Sequence, residues 1–172
     1  MPDTGEVGAI CDCIDGQLIV DEAIAIVVET VAEYLESIYR RYGLYSTAQK
    51  SLALEPGADA GALGKLLRQT PPTHIAGKSI VAVSDLLKLK KTFTDGTEET
   101  IDLPKSDVLT YYLEDDTRII VRPSGTEPKL KCYYETILAI DEGASFEDAQ
   151  QSAKAEMTAL IDAHQAELSV LS

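Results

Sequence analysis

Two strand-like stretches, Arg118-Ile119-Ile120-Val121 and Leu130-Lys131-Cys132-Tyr133-Tyr134-Glu135, flank the short segment Arg122-Pro123-Ser124-Gly125-Thr126-Glu127-Pro128-Lys129. Runs rich in β-branched and aromatic residues on both sides of a Gly- and Pro-containing connection read as strand, loop, strand. In the second run Leu130, Cys132 and Tyr134 alternate with Lys131, Tyr133 and Glu135. A strand sends successive side chains to opposite faces, so the first set is predicted to be buried and the second to be open to a cleft. Cys132 is then a core residue and not a nucleophile.

The loop between these strands has the composition of an oxyanion grip. Arg122 offers a planar fork of N–H donors, and Ser124 and Thr126 add rotatable hydroxyls. Gly125 permits close backbone approach or a positive φ, so that successive amides can converge on an anion. Pro123 and Pro128 restrict the backbone on either side, and Lys129 adds a second full charge. A plain turn accounts for Pro-Ser-Gly-Thr alone. It does not account for the flanking Arg and Lys.

The remaining chain supplies helices and further strands. Apolar residues Ile24, Val27, Val28, Val31, Leu35, Ile38 and Tyr42 recur at helical spacing, predicting a helix over 21–42 that Gly43 can end. Residues 46–57 read as a linker, or a strand and turn, closing on Glu55-Pro56-Gly57. Asp59 can cap a helix over 60–69 with Leu63, Leu66 and Leu67 as its buried face, and Pro71-Pro72 stops it. Strands are expected around Ile80 to Leu86, Leu89 to Thr94 and Val108 to Glu114, with turns at Asp95-Gly96 and Asp115-Asp116. Residues 145–168 form an amphipathic helix that Ser145 can cap. His164 near its stripe and His74 in a loop read as packing or surface histidines. Cys11-Asp12-Cys13 with Asp15 lacks the second ligand pair of a tetrahedral metal site, and a short half-buried strand is the simpler reading. The fold class is α+β: an antiparallel sheet of four strands, or slightly more, with two helices on one face and an N-terminal helix before it.

Charge narrows the partners. The 172 residues carry a net charge of −14, which disfavours nucleic acid and anionic membrane. Residues 78–131, however, hold nine Lys/Arg against ten Asp/Glu, so the cations gather there: Lys88, Lys90, Lys91, Arg118, Arg122, Lys129 and Lys131. Three cysteines argue against a disulfide framework, no apolar run is long enough to span a bilayer, and the first residues lack a signal-peptide pattern. A cytoplasmic location is expected.

The string from Arg122 to Lys129 resembles the phosphate-binding loop of the C-terminal domain of α-D-phosphohexomutases, the phosphoglucomutase and phosphomannomutase enzymes. The resemblance extends through Val108 to Glu114 upstream and Lys131 to Tyr134 downstream. Arg41-Tyr42-Gly43-Leu44-Tyr45 is similar to the junction after the family's third domain. It implies a TATA-binding-protein-like domain over 51–172, preceded by a remnant of the third domain over 1–50. It also implies that Arg122, Ser124, Gly125, Thr126 and Lys129 hold the non-reacting phosphate of a hexose phosphate during intramolecular phosphoryl transfer. Nothing here matches the family's Ser-His-Asn-Pro catalytic loop or its Asp-Gly-Asp magnesium loop, and Glu6-Val7-Gly8 is a degenerate echo of its Glu-x-Ser sugar motif. No catalytic residue and no metal ligand is therefore assigned. Magnesium belongs to the full-length enzymes, and the missing catalytic domains are an expected partner. A C-terminal fragment, inactive alone, is the reading. The alternative is a stand-alone phosphosugar-binding or regulatory module.

Overall fold

Gly43 decides where the first helix stops. The computed structural model describes residues 22–55 and 59–171, and in it α1 (Glu22–Tyr42) ends at Gly43, whose φ is +87° and whose amide donates to Tyr39 O at 2.8 Å. A Cβ at this position would lie 2.7 Å from Ile137 Cγ2, so both the left-handed backbone and the close approach require glycine. The chain divides after Ile38 into two compact units. In the first, Val31 and Leu35, expected in a buried stripe, are exposed. The stripe residues Ile24, Val27 and Val28, the Cys11–Cys13 segment with Asp15, Glu6-Val7-Gly8, and the turn at Pro56-Gly57 lie outside the residues, or the side chains, that are described.

The second unit opens with the last turn of α1, where Tyr39 stacks on Phe146 with ring centroids 5.7 Å apart and Arg40 Nη2 donates to Ala144 O at 3.0 Å. Its strands are β1 (Leu44–Ala53), β2 (His74–Ile75), β3 (Lys78–Asp85), β4 (Lys90–Phe93), β5 (Glu98–Thr100), β6 (Leu109–Leu113), β7 (Arg118–Pro123) and β8 (Lys129–Leu138). They form one antiparallel sheet in the order β1-β8-β7-β6-β3-β4-β5, with β2 paired to β3. The expected class holds, and the sheet is wider than a four-stranded one. Its widest addition is β1, a full ten-residue strand that pairs with all of β8 and crosses the boundary expected after residue 50. Its alternating polar residues had left strand and linker equally open.

Two helices, α2 (Ala60–Gln69) and α3 (Phe146–Leu171), share the inward face of this sheet. Leu63 and Leu67 of α2 and Met157, Leu160 and Leu168 of α3 join one cluster with Ile80, Leu109, Tyr111, Ile119, Val121, Leu130, Cys132 and Tyr134. Burying each large apolar side chain contributes roughly 1.5–3 kcal/mol relative to exposure. Asp59 caps α2 as expected, its Oδ1 accepting from Gly61 N at 2.8 Å. Leu66 does not belong to the buried face: it is exposed, and Ala60 and Gly64 complete that face with Leu63 and Leu67. Positions 60, 63, 64 and 67 follow the i, i+3, i+4, i+7 period, which turns position 66 outward. Gly64 leaves room for Arg68, which donates through Nε to both oxygens of Asp85 at 3.1 Å and brings Nη2 to 2.7 Å from Asp107 Oδ1. This network ties α2 to the end of β3 and to the segment before β6.

Candidate functional site

The hairpin β7–β8 sets the site by its register. Arg122 stands across from Lys131, Ile120 across from Tyr133, and Arg118 across from Glu135. On the other side of β8, Ser51, Gln49 and Thr47 of β1 continue the same three rows. Since Val121, Ile119, Leu130, Cys132 and Tyr134 are buried inward, all these row residues share the outward face. Arg122 and Lys131 therefore lie side by side next to the loop, and the Ile120–Tyr133–Gln49 row follows two residues, roughly 7 Å, farther along.

The loop is open to solvent at Gly125, Thr126, Glu127 and Pro128, and Arg122 is exposed. Its base is closed by Ser124 N donating to Lys129 O at 2.9 Å and Lys129 N donating to Glu127 O at 2.7 Å. Leu54 N, just beyond β1, donates to Pro128 O at 2.9 Å and moors the loop to the edge strand. Among the described residues, the amides of Gly125, Thr126 and Glu127 and the hydroxyls of Ser124 and Thr126 form no hydrogen bond. Arg122 and Lys131 form no ion pair there either. Three successive amide donors, two hydroxyls and two unpaired cations around one bend are what an oxyanion needs.

Of the two uses open to Gly125, close backbone approach or a positive φ, the second is absent. Its φ is not positive, and a Cβ on it would meet nothing within 4 Å. The glycine therefore serves no left-handed turn; it keeps the approach to the amides clear. Lys129 is half-buried and already engaged, its Nζ 2.6 Å from Glu127 Oε2. The hydrogen bond from Lys129, followed by the charges of Lys129 and Lys131, holds the exposed Glu127 carboxyl below its usual range.

Lys131 was grouped with the local cations in the sequence but not assigned to the site. Strand alternation already places it outward; the register that sets it beside Arg122 is not legible from residue types alone. Conversely, Lys88, Lys90 and Lys91 stand apart from the loop. Lys90 and Lys91 lie on β4, which β3 and β6 separate from β7. Lys90 pairs with Glu98, Lys88 Nζ lies 3.7 Å from Asp85, and Lys91 Nζ sits 4.3 Å from the ring centre of Tyr112 and 4.8 Å from that of Phe93.

Other chemistry-bearing groups are accounted for by packing. His164 is buried, its Nδ1 3.0 Å from Tyr134 Oη, which also accepts from Gln165 Nε2 at 3.0 Å. Burial lowers the His164 pKa to about 4, and burial pushes the Cys132 thiol up to about 11. His74 lies not in a loop but in β2, paired with Ser79; its ring is exposed, with Nδ1 3.0 Å from Thr73 Oγ1. A roomier cavity of about 530 Å³ lies between α2 and the β3–β4 hairpin, but its walls are largely apolar and its Arg68 and Asp85 already pair with each other. Among the described residues, no three His, Cys, Asp or Glu side chains gather as metal ligands would. The donor set of the loop suits an anion and not a cation.

Comparison with known proteins concerns this same hairpin. Residues 78–139 match the family described as the phosphoglucomutase/phosphomannomutase C-terminal domain. A protein of Haemophilus influenzae named a probable phosphomannomutase is 33% identical over 107 residues, covering 62% of this chain and 19% of that protein. A phosphoglucomutase of Staphylococcus haemolyticus is 38% identical over 110 residues, 61% of this chain and 20% of the relative. A phosphoglucomutase of Staphylococcus aureus is 35% identical over 109 residues, with the same shares. The chain spans about a fifth of the length of these curated relatives.

Proposed function

We propose, from the match of residues 78–139 to the phosphoglucomutase/phosphomannomutase C-terminal domain, that the chain is such a domain and grips the non-reacting phosphate of a hexose phosphate. One phosphate oxygen pair faces Arg122, with Lys131 beside it. The remaining oxygen meets the hydroxyls of Ser124 and Thr126 and the amides around Gly125. Lys129 supplies charge at the base of the loop. Such a grip does no bond-making. It spends binding energy away from the reacting centre to hold the sugar in place for phosphoryl transfer performed by other polypeptide. In the full-length enzymes magnesium and a phosphoserine act at the transferring group; this chain carries neither of the corresponding loops, and alone it binds without turnover.

The observation that carries this reading is the exposed Arg122, with the half-buried Lys131 across from it, beside a run of uncommitted amide and hydroxyl donors. Titration of glucose 6-phosphate followed by amide NMR tests it. Saturable shifts are expected at residues 122–131, and Arg122→Ala weakens binding by about tenfold or more, the loss of a charge-assisted bidentate contact. Unchanged affinity in that variant refutes the reading. Steady conversion of glucose 1-phosphate by the purified chain refutes the inactivity.

A further inference from the structure

The two edges of the sheet are built differently. At one end β5 is three residues long and carries Glu98 and Glu99, a short charged edge that discourages another strand. At the other end β1 runs for ten residues in unbroken register with β8, without bulge or proline and with Lys50 as its single charge. Among the described residues β1 pairs with β8 alone. Its second side therefore presents a row of backbone N–H and C=O groups, about 33 Å long, with no strand to meet them. Beside that row lies a groove of about 460 Å³ between β1 and α3, whose walls include Leu44, Ser46, Ala48, Met157, Thr158 and Ile161. Ser46 and Ala48 are small and leave this groove open. An added strand would hydrogen-bond to the edge and lay its own inward side chains over the groove.

The sequence of β1 complements itself. Turned antiparallel to a second copy about Ala48, it sets Leu44 opposite Leu52, Ser46 opposite Lys50 and Ala48 opposite Ala48 on the inward face. On the outward face Tyr45 meets Ser51 and Thr47 meets Gln49. Apolar residues oppose each other at both ends, and no like charges do. The β7–β8 loop is moored beside the end of β1 by Leu54 N donating to Pro128 O. In such a pair the two loops fall at opposite ends of the joined strands, away from the two-fold.

We propose that β1 is a dimerisation edge: two copies of this chain join β1 to β1, antiparallel about Ala48, into one continuous sheet. The long-range charge works against this contact, since each copy carries −14. Salt screens that repulsion, so the pairing tightens as ionic strength rises. An acidic peptide drawn to the edge by Lys50 would respond to salt in the opposite sense.

Sedimentation equilibrium of the chain under reducing conditions tests the proposal. Between about 10 μM and 1 mM chain the mass is expected to climb from one copy toward two. The climb is expected to be steeper at about 0.5 M salt than at about 0.05 M. Amide exchange along β1 is expected to slow over the same concentration range. Thr47→Lys with Gln49→Lys sets like charges directly opposite at two contacts, and is expected to weaken dimerisation by about tenfold or more. The two added lysines also bring the net charge from −14 to −12, so a dimer held by any other surface would gain from them. Thr47→Glu with Gln49→Lys sets opposite charges at the same two contacts and is expected to restore the dimer. Both positions are exposed, and a native-like amide spectrum of each variant at low concentration shows that the fold survives. A chain that stays single across this range, a dimer that dissociates as salt rises, or a double-lysine variant that pairs as tightly as the parent overturns the proposal.

Discussion

In the proposed grip, Glu127 is the carboxylate that an incoming phosphate would meet. It holds Lys129 at 2.6 Å, a hydrogen bond that lowers its pKa further, and as a carboxylate it would both repel an oxyanion and occupy one of the cations. Glu127→Gln removes the repulsion and frees Lys129; phosphate affinity is expected to rise about threefold to tenfold in an NMR titration. No change would mean that Lys129 stands outside the grip. His164 carries the pH dependence of the core. Its neutral ring is buried against Tyr134, with a pKa near 4 in the fold against about 6.5 unfolded. The unfolded chain therefore binds the proton first. The stabilisation is complete above pH 6.5 and is lost as pH falls toward 4, a change on the order of 3 kcal/mol. Urea denaturation between pH 7 and pH 4 is expected to show this slope, and His164→Gln is expected to flatten it.

Gly43 and β1 show where elements obey the sequence and where pairing decides. At Gly43 the positive φ and the 2.7 Å approach to Ile137 leave no space for a side chain. Gly43→Ala is expected to cost at least about 1–2 kcal/mol in thermal or urea unfolding. A neutral result would show that the junction between α1 and β1 yields freely. The stop at Gly43, the Asp59 cap and the inward set of β8 were all readable because each follows from local chemistry: a left-handed residue, a side-chain acceptor, a period of two. The donor residues of the β7–β8 loop were visible as residue types for the same reason. β1 was not, since Leu44–Ala53 has Ser, Thr, Gln and Lys at half its positions and becomes a strand by lying along β8. β5, Glu98-Glu99-Thr100, is exposed and is a strand by pairing with β4, as the second arm of that hairpin. Lys131 belongs to this class too: its identity is in the sequence, but its place beside Arg122 belongs to the register.

At the scale of the molecule, an acidic total and a local gathering of cations are compatible because they are separated in space. The net charge is −14, yet residues 78–131 nearly balance, and Arg122, Lys129 and Lys131 converge on one face of one hairpin. A cleft-sized potential can attract phosphate while the remaining surface repels other polyanions. Among the described residues no helix is long and apolar enough to cross a membrane. The inward face of the sheet, by contrast, is one continuous cluster spanning β3 to β8 and both packed helices, with Cys132 at its middle, inaccessible and protonated. That placement turns a sulfur atom into a stopwatch. With Cys11 and Cys13 replaced by Ser, iodoacetamide can reach the remaining thiol only when the β8 sheet parts from α3. Alkylation in buffer is then expected to run orders of magnitude slower than in urea, and its rate to report how often the whole domain comes apart; rapid labelling in buffer would mean that the domain breathes locally at α3.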